Sequence, residues 1–182
     1  MRRMAISLSV LAALSTAVMV AVVSASERGA SPRARPACTI SGTDQDDEIR
    51  GTDGRDVICA GKGADFIEAR DGNDVVFAGP GRDLVDAGFG SDVVRGDEAF
   101  DILFGQEGRD ELFGGPGGDD VRGGPGRDRI VGGSGADWCL SAIDDRPGDV
   151  VIGGPGNDRA DHDEGDQVRS VEHLVDFFCF GE

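Results

Sequence analysis

An aspartate recurs at every ninth residue through most of this chain, and that period limits the possible folds more than any other feature. It holds without a slip through eleven consecutive units, and it resumes in two more units after an insertion of three residues. Repeats built from helices need about 30 residues or more, so a nine-residue period is too short for them. Numbering each unit so that the acid is its sixth residue gives Asp47, Asp56, Asp65, Asp74, Asp83, Asp92, Asp101, Asp110, Asp119, Asp128, Asp137, Asp149 and Asp158.

Each unit also carries an apolar residue at position eight, and the fullest units have glycine at positions one, two and four. The apolar residues predict the core. Glycine tolerates positive φ and lets main-chain carbonyl groups approach an ion that a side chain would obstruct. Calcium takes about six to eight oxygen ligands, more than one turn provides, so a site is expected to join two stacked units. The apolar series is Ile49, Ile58, Ile67, Val76, Val85, Val94, Leu103, Leu112, Val121 and Ile130, with Cys139 as its last member.

The composition argues against a thick hydrophobic core and favours a cation as the partner. The chain has 182 residues, about the length of one domain, with 30 glycines and only 5% aromatic residues. Its formal net charge is -17, which opposes compaction and makes nucleic acid an unsuitable partner. Hard divalent ions bind carboxylate and carbonyl oxygens, so calcium is the expected cofactor.

The N-terminal residues predict export. Arg2 and Arg3 precede an uncharged apolar run that ends in Val23-Ser24-Ala25, the small-residue pattern of a cleaved signal. We therefore expect a signal peptide over residues 1–25, a flexible linker over 26–37, and a secreted, extracellular protein without membrane attachment after cleavage. A retained membrane anchor is the alternative, because residues 5–23 are just long enough to span a bilayer.

The units GGPGGDDVR, GGPGRDRIV and GGSGADWCL match the nonapeptide GGxGxDxUx, in which U is a large apolar residue. In this run the chain resembles the RTX, or haemolysin-type, calcium-binding repeats. The resemblance implies an all-β fold, a right-handed parallel β-roll in which a six-residue turn and a three-residue strand alternate and two units complete an 18-residue coil. Calcium ions would then lie between turns of successive coils on the same side.

On this resemblance the roll is expected over residues 38–161, and all thirteen aspartates are expected calcium ligands for several ions. The best sites are expected around residues 110–137, where the glycine pattern is fullest, and the chain is expected to order only when calcium is present. One side of the roll would stack Asp56, Asp74, Asp92, Asp110 and Asp128. The other side would stack Asp47, Asp65, Asp83, Asp101, Asp119 and Asp137.

Several units depart from the glycine pattern. The units GTDQDDEIR and GDEAFDILF lack glycines at positions two and four, which predicts weaker or empty sites there. Pro147 replaces a glycine in the unit of Asp149 and makes that residue a less secure ligand. Arg70 at position two is a milder departure if it avoids positive φ, as are the alanines at position one. Those alanines are Ala60, Ala69, Ala78 and Ala87.

The last residues predict a cap over 162–182, because a solenoid must cover its final open coil. The glycines are lost there and apolar residues gained, namely Val168, Val171, Leu174, Phe177 and Phe178. In an oxidising compartment the four cysteines favour two disulfides over a zinc site. Of the three possible connectivities we favour Cys38 with Cys59 and Cys139 with Cys179, since each bond would then fix one end of the roll.

No catalytic motif is present, so an enzyme is not expected. His162 and His173 lack the HExxH spacing of metalloproteases. An EF-hand beginning at Asp161 is disfavoured, because Asp166 stands where such a loop requires glycine. A less favoured alternative is an accessory module of a hydrolase or toxin.

An adhesion or self-assembly scaffold is the main alternative function. Outward apolar ladders could provide its surface, although apolar residues also simply suit strands. The ladders are Phe66, Leu84 and Ile102 on one side, Val57, Val75 and Val93 on the other, and Phe77, Phe104 and Phe113 at position nine.

Overall fold

A computed structural model describes residues 36–144 and 146–174, and all regular structure in these residues is β-strand. The predicted signal peptide and residues 26–35 of the predicted linker lie outside them. The described part contains no helix that could cross a membrane. In chain order the strands are β1 (Ile40–Ser41), β2 (Glu48–Arg50), β3 (Val57–Cys59), β4 (Phe66–Glu68), β5 (Val75–Phe77), β6 (Leu84–Asp86), β7 (Phe89–Gly90), β8 (Val93–Arg95), β9 (Ile102–Phe104), β10 (Glu107–Gly108), β11 (Glu111–Pro116), β12 (Asp120–Arg122), β13 (Arg129–Ser134), β14 (Cys139–Ala142), β15 (Val150–Ile152), β16 (Arg159–His162), β17 (Gln167–Arg169) and β18 (His173–Leu174).

The strands form two parallel eight-stranded sheets and one short pair. One sheet has the order β1-β3-β5-β8-β11-β13-β15-β17, the other has β2-β4-β6-β9-β12-β14-β16-β18, and β7 pairs with β10. The chain passes from one sheet to the other at each six-residue turn, so it winds as a parallel solenoid of about 7 coils. The prediction of an all-β parallel β-roll is confirmed.

The core is a narrow column of position-eight side chains. Ile58 pairs in register with Val76, and Val76 with Val94, each 18 residues further along the chain. From Ile58 to Ile130 every member of the series is fully buried. The four position-one alanines are buried in the same cluster. Because each repeat contributes one large apolar side chain, the hydrophobic effect acts on a small area per residue.

The insertion after Asp137 shifts the register in a way that the sequence pattern did not predict. Leu140, not Cys139, pairs with Val121 and joins the core cluster, while Cys139 lies opposite Asp120. Cys139 is buried, as predicted, at 3% exposed, but the place in the core column that the period assigns to it is occupied by Leu140. One extra residue lies between Asp137 and the core position, and this places the larger apolar side chain of Leu140 inside the roll.

In the described residues, both ends of the roll carry features outside the regular repeat. At the first coil a disulfide joins Cys38 to Cys59, with Cα atoms 5.9 Å apart, as predicted. The predicted pairing of Cys139 with Cys179 involves a residue outside the described part of the chain. At the other end, β17 and β18 add one strand to each sheet, in the segment expected to form the cap. Val168 and Val171 pack against the core, whereas Leu174 is 58% exposed; Phe177 and Phe178 lie outside the described residues.

Candidate metal sites

The repeated aspartates lie in two columns, one at each line of turns. In each column the backbone N–H of one aspartate donates to Oδ1 of the aspartate one coil later, at 2.7 to 3.1 Å. The Asp56 column contains Asp56, Asp74, Asp92, Asp110, Asp128 and Asp149. The Asp47 column contains Asp47, Asp65, Asp83, Asp101, Asp119, Asp137 and Asp158. The structure thus brings together all thirteen residues that the sequence predicts as ligands.

The second carboxylate oxygen of most of these residues has no protein partner. All members of both columns except Asp47 are buried. A buried carboxylate oxygen without a hydrogen bond or an opposite charge is strongly unfavourable. Within the described residues, buried Oδ2 atoms without a hydrogen bond belong to Asp65, Asp74, Asp83, Asp92, Asp101, Asp110, Asp119, Asp128, Asp137, Asp149 and Asp158. These eleven residues are called the open aspartates below.

Burial makes the ionised form of the open aspartates unfavourable in the protein alone. It raises the pKa of Asp101 and Asp110 to about 8, and the N–H donated to Oδ1 only partly opposes this effect. Repulsion from the carboxylates of neighbouring coils raises both pKa values further. Burial likewise raises the pKa of Asp128 and Asp137 to about 7. A compensating positive charge would favour the ionised form of these groups at neutral pH.

Main-chain oxygens approach the open carboxylates from the next coil. At Gly105, a Cβ atom would lie 2.5 Å from the carbonyl oxygen of Gly123 and 2.7 Å from Oδ2 of Asp110. The same two kinds of oxygen converge at Gly114, where a Cβ would meet Asp119 and the Gly132 carbonyl group. In these two units the glycine at position one therefore keeps a space in which oxygens of two successive coils face each other.

This donor set suits a hard cation. Calcium prefers carboxylate and carbonyl oxygens and accepts a flexible coordination geometry. In the residues that the structure describes, no three acidic, histidine or cysteine side chains come together as a metal-binding group. A site here would therefore combine one or two carboxylates with main-chain carbonyl groups, as expected for turns rich in glycine.

Position two sets the shape of the turns. From Gly61 to Gly154 every described residue at this position has positive φ, including Arg70 at 80° and Asp97 at 74°. Arg70 therefore does not avoid positive φ, whereas the four position-one alanines do. Asp97 and Ala99 keep the turn geometry despite the missing glycines, since Ala99 also adopts a φ of 87°. The neighbouring Asp101 remains buried and open.

The turns of Thr43 and Thr52 differ from the other described turns of the repeat. Thr43 donates its N–H and its hydroxyl to Oδ2 of Asp47, and Thr52 does the same to Oδ2 of Asp56. The N–H of Thr52 is the main cause that lowers the pKa of Asp56, against the trend in the rest of its column. Asp47 and Asp56 are therefore placed like the other predicted ligands but already have hydrogen-bond donors.

Two acids outside the nonapeptide pattern continue the columns, and sequence reasoning missed them. The N–H of Asp149 donates to Oδ1 of Asp166 at 3.0 Å, and the N–H of Asp158 donates to Oε2 of Glu172 at 3.0 Å. Both follow turns shorter than six residues, so the nine-residue period does not reach them. A signal was present: each acid stands two residues before an apolar residue, Val168 or Leu174, as in every repeat.

Asp149 lies in the column despite Pro147. Gly148 next to the proline takes a φ of 122°, and the N–H of Asp128 donates to Asp149 Oδ1 at 2.7 Å. The EF-hand alternative has no support in the described residues, because no helix flanks Asp161 and Glu172 there.

Comparison with known proteins agrees with this geometry. The family model described as the RTX calcium-binding nonapeptide repeat matches in four copies, at residues 39–67, 60–94, 86–121 and 113–145. A search of curated proteins gave no significant match. The four copies together span residues 39–145, the part of the chain that holds the stacked turns and most of both columns. The chain therefore belongs to the family of RTX calcium-binding nonapeptide repeat proteins.

Proposed function

We propose that this protein is a secreted, non-catalytic calcium-binding β-roll in which the eleven open aspartates hold the ions. One observation carries the proposal: each of these residues has a buried Oδ2 atom without a protein donor. A single unpaired buried carboxylate could reflect local strain, but eleven in two continuous columns favour a common source of compensating charge. Oxygen donors, burial and stacking favour calcium as that source.

The open aspartates and the glycine turns have separate roles in this proposal. Oδ1 of each aspartate fixes the coil before it through the N–H that it accepts, and Oδ2 remains available for an ion. The carbonyl groups of position one, such as that of Gly123, approach from the adjacent coil. Bound calcium would compensate the carboxylate charge and join successive coils. The narrow core alone buries too little apolar surface to offset the conformational entropy of nine ordered residues per repeat.

Calcium-dependent folding tests the proposal. Far-UV circular dichroism of the purified chain in chelator should show little β-structure, and addition of calcium should produce it. Magnesium serves as the control and should fail, because it demands a tighter octahedral geometry and gives up its water ligands reluctantly. An equally folded chain with all divalent metal removed would contradict the proposal.

One surface notch of the described residues is lined mainly by charged and polar side chains. This notch has a volume of about 530 Å³ and lies beside Arg70, Phe89 and Gln106. Its lining contains no serine, cysteine or histidine; the groups there that could act as a nucleophile or general base are the carboxylates of Asp53, Glu68, Asp71, Asp86 and Glu107. Arg70 pairs with Asp53 at 3.2 Å, and Gln106 donates to Asp86 at 3.1 Å. Two of the five carboxylates are therefore held by a neighbouring side chain of the notch.

A scaffold for self-association is the second candidate function. The structure places Phe66, Leu84 and Ile102 on adjacent strands, and Phe66 is 38% exposed. The ladder ends where Ile102 meets Asp120, so the apolar stripe covers three coils. Light scattering in calcium can test this candidate with threonine at all three positions. A molar mass that equals the wild-type mass at every concentration would exclude it.

A further inference from the structure

The second residue of the nonapeptide separates two kinds of turn in this protein. In the described repeats from Gly61 to Gly154 this residue has positive φ, but Thr43 and Thr52 do not. Positive φ is strongly disfavoured for a β-branched residue, so threonine keeps the backbone of its turn in the ordinary region. The sequence difference at this one position therefore changes the direction of a backbone N–H group.

In the turns with positive φ, this N–H can point to the next coil. The N–H of Gly79 donates to the carbonyl oxygen of Gly96 at 3.0 Å, and that of Gly133 donates to Gly153 at 2.8 Å. The aspartate of the same turn then keeps Oδ2 without a hydrogen bond, as Asp83 and Asp137 do.

In the threonine turns the same N–H points back to the aspartate of its own unit. The distance from Thr43 N to Asp47 Oδ2 is 2.6 Å, and that from Thr52 N to Asp56 Oδ2 is 2.8 Å. The hydroxyl groups add bonds of 2.9 Å and 2.8 Å to the same oxygens. Oδ1 of Asp56 also accepts a hydrogen bond from the hydroxyl of Thr39, at 3.1 Å.

We propose that Thr43 and Thr52 take the place of the cation at the first turn of each column, so that Asp47 and Asp56 hold no calcium. The N–H of each threonine points at Oδ2 and occupies the side of that atom that an ion would need. The hydroxyl lies within hydrogen-bond distance of the same atom, and that of Thr52 also has the Gly54 carbonyl oxygen at 3.2 Å. A cation beside that oxygen would also face the positive ends of the N–H and O–H dipoles. The inference rests on the proposed function, since it assigns which carboxylates of the columns bind calcium.

Glycine in place of Thr43 or Thr52 should allow positive φ and turn the N–H group away from the aspartate. It should thereby create an ion site that the natural chain lacks. Native mass spectrometry in calcium counts the ions bound to each purified chain. Thr43→Gly and Thr52→Gly should each hold one ion more than wild type, and the double variant two more. Thr52→Val is the matched control: it removes the hydroxyl, keeps the β-branched restriction on φ, and should hold the wild-type number.

Two asparagine variants provide a second test that does not depend on opening the turn. Asp56→Asn should keep the wild-type ion count, because its carboxylate already has protein donors. Asp128→Asn should lose at least one ion, because Asp128 is an open aspartate. Loss of an ion in Asp56→Asn, or the wild-type count in a folded Thr52→Gly chain, would overturn the inference. A wild-type chain that binds no calcium at all would instead refute the proposed function.

Discussion

At the scale of the residue, the buried aspartate is the group that links this fold to its chemistry. Each open aspartate holds the neighbouring coil through Oδ1 and leaves Oδ2 for a positive charge. In the absence of a cation, a proton is the other positive charge that can neutralise it. The raised pKa values of Asp101 and Asp110 mean that the metal-free roll favours the protonated form of these carboxyl groups. Calcium and protons should therefore compete for the same oxygens.

The first prediction concerns pH. The pKa of Asp101 and Asp110 is raised to about 8 in the folded chain, above the value of about 4 expected for an unfolded chain. The folded state thus binds more protons, so the metal-free roll should be most stable near pH 4 and lose stability as pH rises towards 8. With calcium the sign reverses, because binding requires ionised carboxylates, and the affinity of the folded roll should rise as pH increases through these raised pKa values.

Circular dichroism in chelator between pH 8 and pH 4 checks the first part, with β-structure expected to increase on acidification. Calorimetry of calcium binding at an acidic pH at which the metal-free chain shows β-structure, in two buffers of different ionisation enthalpy, checks the second, since protons released from the folded roll make the measured heat depend on the buffer. Identical heats in both buffers would show that the open aspartates are already ionised before calcium binds.

At the scale of the element, the turn rather than the strand decides how closely two coils can approach. Gly108 has a φ of 154°, and a Cβ on it would overlap the carbonyl oxygen of Gly90 in the preceding coil. At Gly54, which holds the same position in the first turn of the Asp56 column, nothing lies within 4 Å of a Cβ atom. Equivalent positions of the repeat therefore differ in whether they require glycine.

The second prediction compares these two glycines. Gly108→Ala should lower the free energy of unfolding in calcium by about 1 to 3 kcal/mol from backbone strain alone, with a further loss from the overlap with Gly90. Gly54→Ala should change it by less than about 0.5 kcal/mol, because its Cβ would point into open space. Urea denaturation at fixed calcium measures both; equal values for the two variants would contradict the close stacking of turns.

The sequence predicted the strands and turns correctly where the nine-residue period holds. It failed where the backbone conformation of a turn sets the register or the direction of a hydrogen bond. Alternation of turn and strand and the core from Ile58 to Ile130 follow from a spacing of nine residues. The shift from Cys139 to Leu140 was hidden because both residues are apolar. The continuation of the aspartate columns by Asp166 and Glu172 was missed because the turns before these two residues are shorter than six residues. The hydrogen bonds from Thr43 and Thr52 to the aspartates of their own units depend on the direction of a backbone N–H group, which no residue pattern shows directly.

At the scale of the whole molecule, stability is the sum of similar contacts between neighbouring coils. Each coil touches only the coil before and the coil after it, as the pairing of β5 with β3 and β8 illustrates. The narrow core of such a solenoid is divided among the coils, so contacts elsewhere in the core cannot compensate for the loss of one interface between coils. Ions bound between coils would then contribute to the stability of the molecule in proportion to their number.

The third prediction is that thermal stability depends steeply on free calcium. Each tenfold rise in free calcium should add about 1.4 kcal/mol to the free energy of unfolding for every ion released on unfolding. Denaturation curves at several buffered calcium concentrations give this slope, and the slope counts the ions. Magnesium at the same concentrations is the control, and a melting temperature independent of calcium would contradict the linkage.

The register of 18 residues has a further consequence for how such a chain can change in length. The insertion after Asp137 is taken up within one coil, and the strands on both sides of it still pair in parallel. Duplication or deletion of a complete coil would leave every remaining coil with neighbours of the same shape. A change of a single nonapeptide would instead send each later strand to the opposite sheet. Evolutionary growth of the roll is therefore expected to proceed in pairs of repeats.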